Sequence, residues 1–148
     1  MTVPKLAPYA TLLLRLALGI MFLTHSIVLK WLTYGLPGTA QFFVSVGLPG
    51  WLAYAVFAAE IAGGAMLILG VQVRWAAAAM TPILLGAVWV HAGNGWVFTA
   101  ANGGWEYPAY LTVLCIVQAL LGEGAWALSP SRLPAFAPRA LVRAVVEA

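Results

Sequence analysis

Apolar residues run along this chain in four long stretches, separated by segments rich in glycine, proline or polar residues. The stretches occupy residues 9–29, 51–69, 74–91 and 107–126. A helix needs about 20 mostly apolar residues to cross the hydrocarbon of a bilayer, and each stretch approaches that length. The pattern therefore predicts an all-α integral membrane protein, built as a bundle of four transmembrane helices.

The composition supports a lipid environment. Of the 148 residues, 64% belong to the apolar set and only 7% are charged, whereas a soluble domain carries about 25% charged residues. This deficit leaves too little charge to solvate a globular surface. The chain has seven lysines and arginines and four acidic residues, which are too few cations for a nucleic-acid-binding surface. We therefore expect the lipid bilayer, and no nucleic acid, as a partner. The single cysteine, Cys115, excludes an internal disulfide.

The connecting segments differ in length and predicted structure. Gln72–Arg74 is a tight link, which makes the second and third helices antiparallel neighbours. Residues 39–46 lie in the long connection after the first helix, and we expect them to form a short helix at the membrane surface. Residues 1–128 are expected to form the transmembrane domain. Residues 129–148 are expected to form a basic, proline-rich cytoplasmic tail, whose end from Pro138 could be an amphipathic helix.

The distribution of cations predicts the orientation. If the N-terminus is cytoplasmic, Lys30 lies in an outer loop and the other loop and terminal cations lie inside. The inner cations are Lys5, Arg74, Arg132, Arg139 and Arg143. This bias favours an N-in, C-in arrangement, with the long loops after helices 1 and 3 outside. We interpret residues 9–29 as a retained first helix, and a signal peptide is the alternative.

Two charged residues, Arg15 and Glu60, lie inside membrane-spanning stretches. A charge at the bilayer centre costs about 2.5–3.5 kcal/mol on insertion scales. At 1.5 Å per residue, Arg15 lies about 9 Å from the inner end and Glu60 about 13–14 Å from the outer end of its stretch. In a core about 30 Å thick their depths differ by about 7 Å, so we expect them to meet inside the bundle. The pair either fixes helix register or forms a polar site in which Glu60 carries protons or bonds a ligand.

Small residues near Glu60 predict close helix packing. Ala55, Ala59 and Gly63 recur at four-residue spacing, and Gly64 follows Glu60 by four residues. Small side chains let a neighbouring helix backbone approach. On the first helix, the 3.6-residue period places a second set on one face, which we expect to point into the bundle. That set is Arg15, Gly19, Phe22 and Ser26.

The histidines and one loop are the remaining candidates for chemistry. His25 and His91 fall near outer helix ends, and two isolated histidines predict hydrogen bonding or proton handling rather than a metal or haem site. The segment Asn102–Pro108 contains Trp105 and Glu106. It is either a capped turn with an aromatic anchor or a lid over the outer mouth of the bundle.

Taken in order and spacing, several short motifs resemble the DoxX family. They are Leu14–Gly19, Phe22–His25, Gly35–Thr39, Gly47–Pro49, Ala59–Gly64, Arg74, His91 and Asn102–Pro108. The resemblance covers roughly residues 12–128, and Ser26 stands where the family pattern has glycine. It implies a multi-pass protein of the bacterial inner membrane with a respiratory or redox-stress role. Members of the family include a subunit of a thiosulfate:quinone oxidoreductase.

Three functions are consistent with this sequence. The first is a redox subunit that binds a quinone or similar apolar ligand, with Arg15 and Glu60 as an inner polar site. His25, His91, Asn102, Trp105 and Glu106 would then line the outer mouth. The alternatives are a scaffolding protein without its own chemistry and a small transporter of an apolar solute. Because Cys115 stands alone, electrons must come from a cofactor or from a partner subunit. The sequence assigns no catalytic residue, and a homo-oligomer is compatible with it.

Overall fold

The computed structural model describes residues 6–131, and these residues are helical without a strand. The helices are α1 (Ala7–Thr24, continued as a π-helix over His25–Thr33), α2 (Gly35–Ser45), α3 (Trp51–Leu69), α4 (Val73–His91) and α5 (Glu106–Leu121). The all-α class predicted from the apolar pattern is thus confirmed. Lys5, Arg132, Arg139, Arg143 and the expected helix from Pro138 lie outside the described residues.

Three of the helical segments are long and apolar enough to cross a membrane. They are Ala7–Thr33, Trp51–Leu69 and Val73–Asn94. Helix α5 is apolar but has only 16 residues, which rise about 24 Å along the helix axis. The short helix expected at residues 39–46 is present as α2, beginning four residues earlier.

Helices α1, α3, α4 and α5 pack around a shared apolar core, and α1 touches both α3 and α5. The core side chains come from all four helices and include Leu18, Phe22, Leu67, Ala77 and Cys115. The predicted neighbours α3 and α4 are joined by a tight turn, in which Gly70 and Gln72 both adopt left-handed backbone conformations. This turn lies at one end of the bundle. The opposite end carries α2 and the 92–105 loop, and we call it the α2 end.

The backbones of α1 and α3 touch where two glycines face each other. A Cβ added to Gly19 would lie 2.8 Å from the carbonyl oxygen of Gly64, and one added to Gly64 would lie 3.0 Å from that of Gly19. Gly63 packs against the side chain of Met80 in α4. The close packing predicted near Glu60 is therefore present, although Ala55 is exposed and takes no part in it.

Residues 122–131 fold across the end of the bundle opposite α2, and we call them the terminal segment. Helix α5 stops at Leu121 because Gly122 and Gly124 adopt φ angles of 89° and 68°, which a right-handed helix cannot contain. The expected extension of this helix to Trp126 is therefore wrong. The terminal segment is held by backbone hydrogen bonds from Ala125 N to Pro8 O and from Gln72 N to Ser129 O, each 2.9 Å long.

Candidate functional site

A buried cluster of charged and polar side chains joins α1 to α3 near the α2 end. The Lys30 ammonium lies 2.5 Å from Oε2 of Glu60, with 10% and 6% of the two side chains exposed. The Ser26 hydroxyl donates to the same carboxylate oxygen at 2.5 Å. We call Ser26, Lys30 and Glu60 the Glu60 cluster. A buried carboxylate is stable as an anion only with such a partner, so the pair satisfies both charges inside an apolar bundle.

The helix geometry around the cluster explains how these three residues meet. Ser26 and Lys30 lie about one turn apart in the π-helical continuation of α1 and face α3. π-Helical turns are rare and are frequent at functional sites. Glu60 lies one turn before Gly64, where the backbones of α1 and α3 touch. Thr39 of α2 binds the backbone at the cluster, since its hydroxyl donates to the carbonyl oxygen of Lys30 at 3.1 Å.

Arg15 does not meet Glu60, so the pairing expected from the sequence is wrong. Both residues are buried, as predicted, but they lie at different levels of the bundle. The contact between Gly19 and Gly64 fixes the register of α1 against α3, which places Glu60 beside Ser26. Arg15 precedes Ser26 by 11 positions, a rise of about 16 Å along a helix.

The partners of Arg15 are backbone carbonyl groups of the terminal segment. Its Nη1 donates to the carbonyl oxygen of Glu123 at 2.7 Å, and Nη2 lies 3.3 Å and 3.4 Å from those of Ala125 and Trp126. Arg74 acts similarly at the end of α5, where its guanidinium donates to the carbonyls of residues 119–121. Arg15 thus binds the segment after α5 and Arg74 binds the last turn of α5, and neither belongs to the Glu60 cluster.

His25 lies beside the Glu60 cluster and lines a groove of about 490 Å³. The groove is walled by residues of α1 between Ala17 and Leu29 and by Tyr107 of α5; we call it the His25 groove. The imidazole lies within electrostatic range of Lys30 and Glu60. The groove is open and mostly apolar, and its volume lies within the range of small-molecule sites.

His91, Asn102 and Asn94 form a separate cluster at the α2 end. Nδ1 of His91 lies 3.1 Å from the carbonyl oxygen of Asn102, and the Asn94 amide donates to the same oxygen at 3.1 Å. His91 is also within electrostatic range of His25. This cluster fixes the end of α4 to the 92–105 loop, so the structure brings His91 near the His25 groove without adding it to the groove wall.

The last two predicted site residues, Trp105 and Glu106, lie where the loop meets α5. Trp105 packs edge-to-face on Trp96 with ring centroids 4.4 Å apart. Glu106 begins α5 and is half-buried. Its backbone N–H donates to the carbonyl oxygen of Trp96 at 3.0 Å. Both residues therefore lie at the junction of the 92–105 loop with α5 and not in the Glu60 cluster.

Comparison with known proteins agrees with this architecture. The DoxX family model matches residues 10–93, more than half of the chain, and the match contains the whole Glu60 cluster. The chain belongs to the DoxX family. A similar curated protein is the putative oxidoreductase CatD of Bacillus subtilis (strain 168), which is 40% identical over 78 residues. That match covers 53% of this chain and 56% of the relative, and no solved structure matches.

In this DoxX protein, Glu60 and His25 were both predicted as site candidates, whereas Lys30 was assigned to a loop and its pairing with Glu60 was not predicted. The lysine stands beside Trp31 at the apparent end of an apolar stretch, which is typical of a residue at the membrane surface. A signal for the correct partner was present, since Lys30 follows Ser26 by four positions and so shares the predicted inward face. Chemically, the cluster offers a carboxylate, an amine and a hydroxyl that can hold or pass a proton.

Proposed function

We propose that this DoxX protein is a membrane subunit of an oxidoreductase system that binds a quinone or similar apolar ligand in the His25 groove. The observation that carries the proposal is that His25, which lines this groove, lies within electrostatic range of Lys30 and Glu60 of the buried cluster. A ligand diffusing in lipid can enter a groove on the outside of a helical bundle, and the imidazole supplies a polar group at its wall. The similarity to a protein named putative oxidoreductase supports a redox role.

The chemistry divides between this chain and a partner. Reduction of a quinone to a quinol consumes two electrons and two protons. The chain has a single cysteine, so a donor on a partner subunit supplies the electrons. His25 supplies the hydrogen-bonding and proton-carrying group next to the ligand head, and the Glu60 cluster acts on it through its charges. Oxidation of the quinol runs the same steps in reverse.

The arrangement in the membrane is part of the proposal. Residues 1–128 form the transmembrane domain of a bacterial inner-membrane protein, with α5 as a fourth span and residues 129–148 as a cytoplasmic tail. Lys30 is neutralised by Glu60, so among residues 6–131 no unpaired lysine or arginine lies at the α2 end. Arg74 lies at the opposite end, which supports an N-in, C-in orientation under the positive-inside rule.

A matched pair of alanine substitutions tests the groove. Ala17 lines the groove, whereas Ala58 is equally an exposed alanine on α3 outside it. In lipid nanodiscs, Ala17→Phe fills the groove and should weaken binding of a short-chain quinone at least tenfold, measured by quenching of tryptophan fluorescence. Ala58→Phe should bind like the wild type. Equal affinities for Ala17→Phe and the wild type, or no saturable binding to the wild type, would reject the proposal.

A scaffolding role is the second candidate, and one observation favours it. Both charges of the Lys30–Glu60 pair are satisfied within the bundle, and the pair joins α1 to α3. Such a pair is able to fix helix register without any further chemistry. In the redox role the pair takes part in quinone-linked activity, whereas in the scaffolding role it only holds the helices together. Substitution of both residues distinguishes these two roles.

A further inference from the structure

A second cavity lies where the outer loop meets the start of α5. Its volume is about 570 Å³. Aromatic rings and one carboxylate dominate its lining, namely Trp96, Phe98, Tyr107, Tyr110 and Glu106. Only Tyr107 is shared with the His25 groove. We call this space the Glu106 cavity.

The charge of the cavity determines what it can hold. The carboxylate of Glu106 has no hydrogen-bond or ion-pair partner among residues 6–131, whereas Glu60 and Glu123 are both engaged. No other ionisable acid or base, apart from two tyrosines, lines the cavity. A half-buried anion among apolar rings disfavours an anionic ligand and is stabilised by a cation.

The aromatic rings narrow the class of cation. Faces of tryptophan, tyrosine and phenylalanine attract organic ammonium groups, and the attraction is strongest where water is partly excluded. A metal ion would need several oxygen ligands, and the cavity offers one carboxylate. We propose that the Glu106 cavity binds a free organic ammonium ion with an apolar body, its charge beside Glu106 and its body against the rings.

The loop that forms the cavity wall is held by contacts of its own. Trp96 is held by the edge-to-face contact with Trp105 and by the N–H of Glu106. Gly104 passes so close to the carbonyl of Val97 that any Cβ there would collide with it. A preformed wall reduces the entropy lost on binding, which suits recognition of a small ligand.

Isothermal titration in phosphatidylglycerol nanodiscs tests the site with benzyltrimethylammonium and with neopentylbenzene, its neutral carbon isostere. Glu106→Gln should weaken binding of the cation at least tenfold, because it removes the charge and keeps the shape. Glu123→Gln, the same change at the opposite end of the bundle, is the matched control and should leave the affinity unchanged. Phe98→Leu should also weaken binding, through loss of one ring.

Three outcomes would overturn this assignment. The first is equal binding of the cation and its neutral isostere, and the second is an equal loss of affinity in Glu106→Gln and Glu123→Gln. The third is loss of cation binding when phosphatidylcholine replaces phosphatidylglycerol, because the occupant of the cavity would then be a lipid headgroup. The site is independent of the proposed quinone function. Ala17→Phe should still bind the cation, so each proposal can fail without the other.

Discussion

At the scale of single residues, the Lys30–Glu60 pair sets the free energy lost by dehydrating two charges against the attraction between them. Removing two charges from water costs several kcal/mol per ion, and their attraction recovers this only when both partners remain. The pair is nearly closed to solvent, and Ser26 adds a hydrogen bond to the carboxylate. Loss of one partner therefore leaves a buried charge without compensation.

A double-mutant cycle on this pair gives the first prediction. Lys30→Met or Glu60→Gln alone should lower the free energy of unfolding by about 3–5 kcal/mol, the usual effect of breaking a buried pair. The double variant should lose less than the sum, because no unpaired charge remains. Thermal unfolding in detergent measures all four corners. Additive losses would mean that the two side chains do not interact.

The same cycle separates the two candidate functions. If the double variant recovers folded yield but not quinone-linked activity in membranes, the pair takes part in the chemistry. If activity returns together with yield, the pair acts as a scaffold only. Arg15→Met is not a suitable control here, because that guanidinium is itself buried against backbone carbonyls.

At the scale of elements, the π-helical continuation of α1 decides which residues face α3. Its hydrogen bonds join residues five positions apart, as in the bond from Tyr34 N to Leu29 O at 3.1 Å. The wider turn brings Ser26 and Lys30 to the same oxygen of Glu60. A change in the number of residues before Lys30 should therefore rotate the lysine away from its partner.

Deletion of Val28 tests this geometry. The deletion removes one of the three residues between Ser26 and Lys30 within the π-helix, so the two side chains can no longer reach the same oxygen of Glu60, and Lys30 should lose its partner and become accessible. Lys5→Arg makes Lys30 the single lysine of the chain. In that background, an amine-reactive label should modify Lys30 much faster after the deletion. Deletion of Ala101, an exposed turn residue, is the control and should leave the slow rate unchanged. An unaltered rate after deletion of Val28 would contradict the role given to the π-helix.

Prediction from sequence succeeds for elements and fails for their register. Trp51–Leu69 has the predicted bounds, because the length of an apolar run is a local property. The inward face of α1 was also predictable from its period, and Ser26 and Phe22 are both buried. The inward face also contains Lys30, but which of its residues meets Glu60 depends on where Gly19 meets Gly64. That contact is set by packing between helices, which no local pattern records.

At the scale of the whole molecule, the two ends differ in charge and in how they are closed. Arg15 and Arg74 close one end through backbone carbonyls of the terminal segment and α5. The other end carries α2 and the loop around Trp105. This asymmetry predicts a single orientation in the membrane, with the Glu60 cluster nearer the outer surface.

Cysteine accessibility tests the orientation. In a Cys115→Ala background, which has no cysteine, Thr99→Cys in the outer loop should react with a membrane-impermeant maleimide on intact cells. Ser131→Cys, beyond α5, should react only after the cells are permeabilised. The two positions control for each other because both are loop residues. Labelling of both positions in intact cells would contradict the N-in, C-in arrangement.

The hold of Arg15 on the terminal segment has a consequence for biogenesis. The carbonyl of Glu123 that accepts its hydrogen bond lies 108 positions later in the chain. The first helix therefore enters the bilayer with a guanidinium whose acceptors the ribosome has not yet made. Until they arrive, water or lipid phosphate must solvate that charge. The hydrogen bonds of Arg15 in α1 can therefore form only after α5 has been synthesised. In a nascent chain stalled before residue 123, Arg15 should still lack these acceptors.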